Sequence, residues 1–271
     1  MNNLKYIIIF VYVLFGINPL FTKDCYKEIH SKHFIYGMPL GVPEYNDLII
    51  RDSYALSSND STKFADWVAY YLDSATIIGN SIERSWSAEP WLSEDETLEP
   101  ADYKDANKIY KYDRGHQAPL ANFKGNRDIE TTNYLSNITP QKANLNQGMW
   151  KILEDFERQL ALKYKKIWVM TGPIYENEMP SLPNADEPHK VPSAYWKIIS
   201  IPINNEEIKV LSFIMDQNTP RKSDLQKYLV NLLEVERRTK LTFFNDLDQN
   251  IKSKLINKID IEFFENNFNS K

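Results

Sequence analysis

The sequence predicts an α+β fold. Three observations carry this: several short segments dense in aromatic and β-branched residues, one long segment with apolar residues at three- and four-residue spacing, and strand-like segments grouped apart from helical ones rather than alternating with them. With 271 residues, 42 % of them hydrophobic and 13 % aromatic, the chain can fill a proper core, and its eight glycines are too few for a flexible, low-complexity segment. Disorder is excluded as a general description.

Residues 1–25 differ in kind from the rest. Lys5 precedes an uncharged apolar run, Tyr6 to Thr22, which ends at Lys23 and Asp24. A basic start and an apolar core fit a cleaved signal peptide, giving a secreted or periplasmic protein; left uncleaved, the segment becomes an N-terminal membrane anchor. Cys25 is the sole cysteine, so no intrachain disulfide can form. No repeat or Ser/Gly linker divides the rest of the chain, and residues 26–271 read as one domain.

The strands are expected at Phe64–Leu72, Ile167–Thr171, Ala194–Pro202 and Val210–Met215, each rich in β-branched or aromatic residues. The acidic, proline-containing stretch Ala88–Asp105 reads as a surface loop. The clearest helix spans Asn144–Lys163, where Leu145, Met149, Ile152, Leu153, Phe156 and Leu160 share one buried face with Asn146, Glu154 and Arg158 flanking it. A second helix is expected over Ser223–Arg238, after the break at Pro220.

A net charge of −5 argues at first sight against a polyanionic partner. The average hides a division. Between Lys108 and Lys166 eleven Lys/Arg face six Asp/Glu, so a basic stretch sits in an otherwise acidic chain. It contains "YDRGHQAPLANFKGN", residues 112–126, where one of only four histidines, His116, lies three residues after Asp113.

A histidine near an aspartate is weak evidence of catalysis, since most such pairs are local hydrogen bonds. The downstream stretch from Asn133 to Leu160 adds amides and carboxylates on a helix whose other face is core. Such oxygens are hard ligands of the kind Mg²⁺ accepts, and Mg²⁺ takes few protein ligands while keeping several waters. On an ideal helix Asn146 and Glu154 stand about 80° and roughly 12 Å apart. One could then bind the ion while the other holds its water shell. A solvated helix face with two ordinary polar residues is the competing reading.

"DRGH" followed by "NYLSNITPQKANLNQGMWKILEDFE" resembles the DNA/RNA non-specific endonuclease family. The likeness continues through "TKFADWVAY", "LEPADY", "VMTGPIYE", "PSAYWK" and "DQNTP", over roughly residues 50 to 245. It implies the ββα-metal (His-Me finger) fold, a mixed, mainly antiparallel sheet with flanking helices, placing the histidine on a strand and the metal asparagine on the following helix. It also implies roles. His116 would be the general base, Asn146 the single direct protein ligand of Mg²⁺ (Mn²⁺ able to substitute), and Glu154 would orient the metal's waters. Arg84 would stabilise charge on the pentacoordinate phosphate, Arg114 and Arg158 would be further phosphate or site-supporting groups, and Asn137 a supporting amide near the metal. Relatives are commonly homodimers.

Elementary chemistry agrees. An imidazole near its ordinary pKa of about 6.5 accepts a proton at neutral pH, so the rate is expected to rise through one ionisation near neutrality. A water attacking phosphorus with departure of the 3′ oxygen leaves a 5′-phosphate and never needs the 2′-hydroxyl, so DNA and RNA should both be cut. Phosphate contacts position a substrate without reading bases. A catalytically dead homologue that only binds nucleic acid is the rival class.

Overall fold

Along Phe64–Asp73 successive side chains point to opposite faces, and both faces are buried: Val68 and Tyr70 on one, Trp67 and Ala69 on the other. A strand dry on both sides needs a packed layer above and below, which places it inside the sheet. The computed structural model, describing residues 29–204 and 206–268, has this arrangement.

Numbered in chain order, the strands are β1 (Asp47–Ile50), β2 (Ala55–Asn59), β3 (Phe64–Asp73), β4 (Tyr112–His116), β5 (Ile138–Lys142), β6 (Lys166–Ile174), β7 (Ala194–Pro202), β8 (Ile208–Asp216) and β9 (Leu229–Val230). Seven form one antiparallel sheet in the order β1-β2-β3-β6-β7-β8-β9, and β4 and β5 pair separately. The helices are α1 (Ser74–Ile77), α2 (Ala106–Tyr110), α3 (Ala143–Leu145), α4 (Lys151–Tyr164), α5 (Leu232–Thr239), α6 (Gln249–Leu255) and α7 (Ile261–Phe268). The fold is α+β, with all four expected strands present.

Each face of the sheet has its own core. On one, Val68, Tyr70, Tyr195 and Ile199 meet Leu153, Phe156 and Leu160 of α4. On the other, Trp67, Met170, Trp196 and Ile198 meet Leu232 and Val235 of α5 with Phe243 and Phe244. A third cluster, Phe64, Leu98, Tyr103, Tyr112, Leu135 and Ile138, backs the β4–β5 pair.

Three expectations change. The helix foreseen over residues 144–163 is α3, a π-helical turn over Asn146–Trp150, and α4. That foreseen over 223–238 divides into a 3₁₀ turn at Leu225–Tyr228, β9 and α5, because Leu229 and Val230 pair with Phe213 and Ser212 at the sheet edge and Asn231 caps α5 by accepting from Glu234 N. The supposed surface loop 88–105 buries Glu89, Leu98, Asp102 and Tyr103, and Glu89 pairs with Arg51 beneath it. The segment read as a signal or anchor, with Cys25, lies outside the described residues. Among those described, no helix is long and apolar enough to cross a membrane.

The stripe on α4 is testable. Leu153 is fully buried, so Leu153→Ala should cost about 2–5 kcal/mol in urea unfolding. Leu162 on the same helix is 43 % exposed, and Leu162→Ala should stay within about 0.5 kcal/mol of the parent. Equal losses at the two positions would contradict this orientation of α4.

Candidate active site

β4 carries Asp113, Arg114, Gly115 and His116 past β5, with His116 opposite Ile138 and Gly115 opposite Thr139. A Cβ at 115 would lie 2.4 Å from Oε1 of Gln141, so a larger residue there would have to displace that buried side chain. The chain after β5 enters the π-helical turn. Gly148 adopts φ −112°, ψ −112° there, and its missing side chain lets the backbone oxygen of Arg221 approach to 2.5 Å of where a Cβ would stand. Such turns interrupt an α-helix where a side chain must be re-aimed. The ideal-helix relation between Asn146 and Glu154 therefore does not apply, yet both line the same cleft.

That cleft, of about 700 Å³, brings together His116, Arg84, Asn146, Glu154, Arg114 and Arg158. Cationic side chains outnumber carboxylates in its lining, six to two, with Lys124, Lys151 and Arg221 joining the three arginines named from the sequence. Asn137 is not part of the lining. Its amide is fully buried, donates to the carbonyls of Ala118 (3.0 Å) and Thr132 (2.8 Å) and accepts from Ala118 N (2.8 Å), bracing the chain that leaves His116.

His116 is buried between the tilted ring of Trp86, 5.3 Å away, and Asn133, whose Oδ1 lies 3.2 Å from Nε2. With that carbonyl oxygen as acceptor, Nε2 carries the hydrogen and Nδ1 is left as the ring's proton acceptor. Burial pulls the imidazole down to about 4, the positive charge of Arg84 acts in the same direction, and the Asn133 hydrogen bond opposes them. The ionisation expected near neutrality is therefore not that of His116. Glu154 moves the other way, pushed up to about 7 by burial and by Glu157, against the pull of Lys197 and Arg158.

Asn146 is set by Asp113, a motif residue to which the sequence assigned no role of its own. Asp113 Oδ2 accepts from Asn146 Nδ2 (3.0 Å) and from Gln147 Nε2 (2.8 Å), while Oδ1 accepts from Asn107 (2.6 Å). With its nitrogen committed, Asn146 has Oδ1 left as a hard oxygen ligand, and a half-buried carboxylate stands in the same cleft. A small divalent cation with few protein ligands fits this donor set. The denser carboxylate groups among the described residues, Glu99–Asp102–Asp186–Glu187 and Asp47–Asp60–Glu96, lie outside it. Arg114 donates to Pro100 O (2.8 Å) with its guanidinium over the rings of Tyr103 and Trp86. Asp113 and Asn133 could have been suspected from their place in polar motifs; Trp86 and Arg221 carried no such signal.

His33 and His189 have structural posts. His33 bridges Arg51 O and Tyr71 N, and His189 Nε2 accepts from Leu182 N at 2.8 Å.

A β-hairpin bearing the histidine, followed by a helical segment bearing the asparagine, is the ββα-metal arrangement. The chain belongs to the DNA/RNA non-specific endonuclease family, which it matches over residues 29–250. The match starts upstream of the region the motifs delimit and takes in His30 and His33. The chain is 43 % identical to a nuclease of Serratia marcescens over 224 residues, 82 % of this chain and 84 % of that one. It is 28 % identical to human mitochondrial endonuclease G over 223 residues, 75 % and 71 % of the two. In fold it is similar to a chain in the crystal structure of an EndoG/EndoGI complex, with a TM-score of 0.67 at 23 % identity, covering 78 % of this chain and 91 % of that one.

Because burial lowers the His116 pKa, its neutral form should persist at every pH above about 5. Ring resonances of His116 should then be flat between about pH 5.5 and 8. A midpoint between about 6 and 7 would contradict the buried setting.

Proposed function

We propose that this protein is a divalent-metal-dependent endonuclease that hydrolyses phosphodiester bonds in both DNA and RNA and leaves 5′-phosphate ends. The observation that carries the reading is the convergence of His116 and Asn146 on one cationic cleft. Family membership supports the reaction class.

In this reading the cationic wall holds the substrate by its phosphates. Such contacts bring no base preference, and the order of bases is immaterial to them. His116 Nδ1 takes a proton from a water aligned on phosphorus, and Nε2 stays committed to Asn133. A pKa of about 4 keeps the imidazole neutral at neutral pH, with Nδ1 unprotonated, at the cost of basicity. Arg84, exposed at the cleft, meets the charge that grows on the phosphate, and Arg158 and Arg114 add positive potential. Asn146 Oδ1 would hold Mg²⁺, which when bound would supply positive charge to the phosphate. Glu154 accepts hydrogen bonds from water at the site. The 3′ oxygen departs and is protonated by solvent. No group in this scheme touches the 2′ position, so both sugars are accepted. The apolar run Tyr6–Thr22 supports export, with the enzyme working on nucleic acid outside the cytoplasm.

The purified protein should degrade double-stranded DNA, single-stranded DNA and RNA with Mg²⁺, stop in EDTA, and yield fragments that ligate directly through 5′-phosphates. His116→Ala should lose a factor of about 10² to 10⁴ in rate with its fold intact. His189→Ala should stay within about tenfold while melting earlier. Action on one sugar alone, full activity in chelator, or equal inactivity of the two well-folded variants would overturn the assignment.

The division of labour has its own test. Asn146→Ala should raise the Mg²⁺ concentration needed for half-maximal activity, with partial rescue by excess ion. Arg84→Ala should lower turnover with the metal titration unmoved. Identical titrations for the two variants would contradict the roles given to them.

A further inference from the structure

Phosphodiester hydrolysis at this cleft leaves one buried charged group without a task. Lys197 on β7 and Glu157 on α4 form an ion pair of 2.9 Å, and both side chains are fully removed from solvent. β7 presents Lys197 to the α4 face because it alternates with Trp196 and Ile198, which face the opposite core. Taking two charges out of water costs several kcal/mol per ion unless their remaining hydrogen-bonding capacity is met. Here it is met closely. Lys197 Nζ also donates to Tyr70 Oη (3.1 Å) and lies 5.0 Å from the ring centre of Trp150, in the π-helical turn. Glu157 accepts from Tyr70 with both oxygens (3.1 and 3.2 Å), and Oε1 accepts in addition from Asn122 Nδ2 at 2.5 Å.

Asn122 is where this network leaves the core. It is fully buried in the short 3₁₀ turn Leu120–Asn122, whose other residues line the cleft. Its amide has two unlike ends. The nitrogen meets Glu157, and Oδ1 accepts from Arg158 Nη1 at 2.6 Å. The reverse orientation would set oxygen against carboxylate and N–H against guanidinium, groups that respectively only accept and only donate. The buried carboxylate thus dictates which way the amide points, and the amide dictates where one nitrogen of Arg158 sits. Asp155 holds Nη2. The other donors of the guanidinium remain for the cleft that Arg158 lines.

We infer that Asn122, oriented by the buried Lys197–Glu157 pair, is a positioning residue for phosphodiester hydrolysis that fixes the Arg158 guanidinium against the substrate phosphate. The inference rests on the reading of Arg158 as a phosphate-facing group in the proposed function. A guanidinium held at Nη1 by a fully buried amide and at Nη2 by Asp155 is pre-set for a phosphate, whereas a free arginine would lose several rotatable bonds on contact.

The test is a double-mutant cycle on DNA cleavage by the full chain, with Asn122→Ala, Arg158→Ala and both together, each checked by thermal melting. Removing an outer partner of a functional group typically costs a factor of about 10 to 100. Asn122→Ala should lower kcat by that order with KM within about threefold, and in the Arg158→Ala background it should have almost no further effect. Asn122→Ser keeps one donor and one acceptor and should recover part of the lost kcat. If Asn122→Ala does not fold, the serine variant enters the cycle in its place, and its smaller loss should likewise vanish when Arg158 is absent. A loss in kcat that is equal in both backgrounds, or a folded Asn122 variant with parental kcat beside a damaged Arg158→Ala, would overturn the inference and leave the proposed function standing. Parental activity in Arg158→Ala would overturn the role given to Arg158 and the inference with it.

Discussion

A lysine and a glutamate with no access to water lock the sheet to the helix that builds the cleft. An apolar contact between α4 and the sheet tolerates small slides, because dispersion is non-directional and its loss is gradual. The Lys197–Glu157 pair does not, since a shift of an ångström or two would leave two dehydrated charges unpaired, at a cost of about 3–5 kcal/mol. The position of α4 is thereby defined in the dimension that matters for function. Glu154 and Arg158, three residues before and one after Glu157, are carried by the same turns of helix to the cleft. Trp150, against Lys197, ties the preceding π-helical turn to the same charge.

The second fixed relation joins the hairpin to that helical segment. Asp113, at the start of the hairpin's polar run, accepts from Asn146 and Gln147, so the strand that carries His116 and the turn that carries Asn146 cannot drift apart. Asn137 secures the other end by bonding the backbone at Ala118 just beyond His116. The candidate base and the candidate metal ligand come from segments thirty residues apart in sequence, yet their separation is controlled by short bonds, charge-assisted at Asp113 and fully buried at Asn137.

Desolvation then acts on the two central titratable groups with opposite results. The same exclusion of water that lowers His116 to about 4 raises Glu154 to about 7, because burial disfavours the charged form of each. The imidazole is left neutral, and the carboxylate needs more positive charge than Lys197 and Arg158 provide. A cleft rich in arginine and lysine supplies part of that charge, and a divalent cation would supply the rest. The pairing of an acid and a base driven apart in pKa by one environment is a common mark of active sites.

Local pattern was enough to find strands at Phe64–Leu72, Ile167–Thr171, Ala194–Pro202 and Val210–Met215, each inside or equal to an observed strand, because β-branched and aromatic runs leave few other options. The apolar stripe Leu153–Phe156–Leu160 was equally plain. The resemblance of "DRGH" and "NLNQGMWKILED" to a family gave residues for the site, and six of the seven line one cleft. What local pattern could not show was where competing long-range contacts win. The helical periodicity of residues 223–238 was real, but Leu229 and Val230 gained more as partners for the open edge of β8. The acidic stretch 88–105 looked solvated until Arg51, from a distant strand end, gave Glu89 a buried partner. By itself, then, the sequence determined the chemical kinds of group available, the faces of its longest elements and the family to which they belong, since these depend on residue type and spacing along the chain. Only the tertiary structure decided that Arg84 and Arg221 meet at one cleft, that Asn122 turns its oxygen to Arg158, and that His116 gives up its ordinary pKa. Each of these depends on which distant segments pack together and on how much water they exclude. Exclusion of water belongs to the packed assembly of distant parts, so no stretch of sequence contains it.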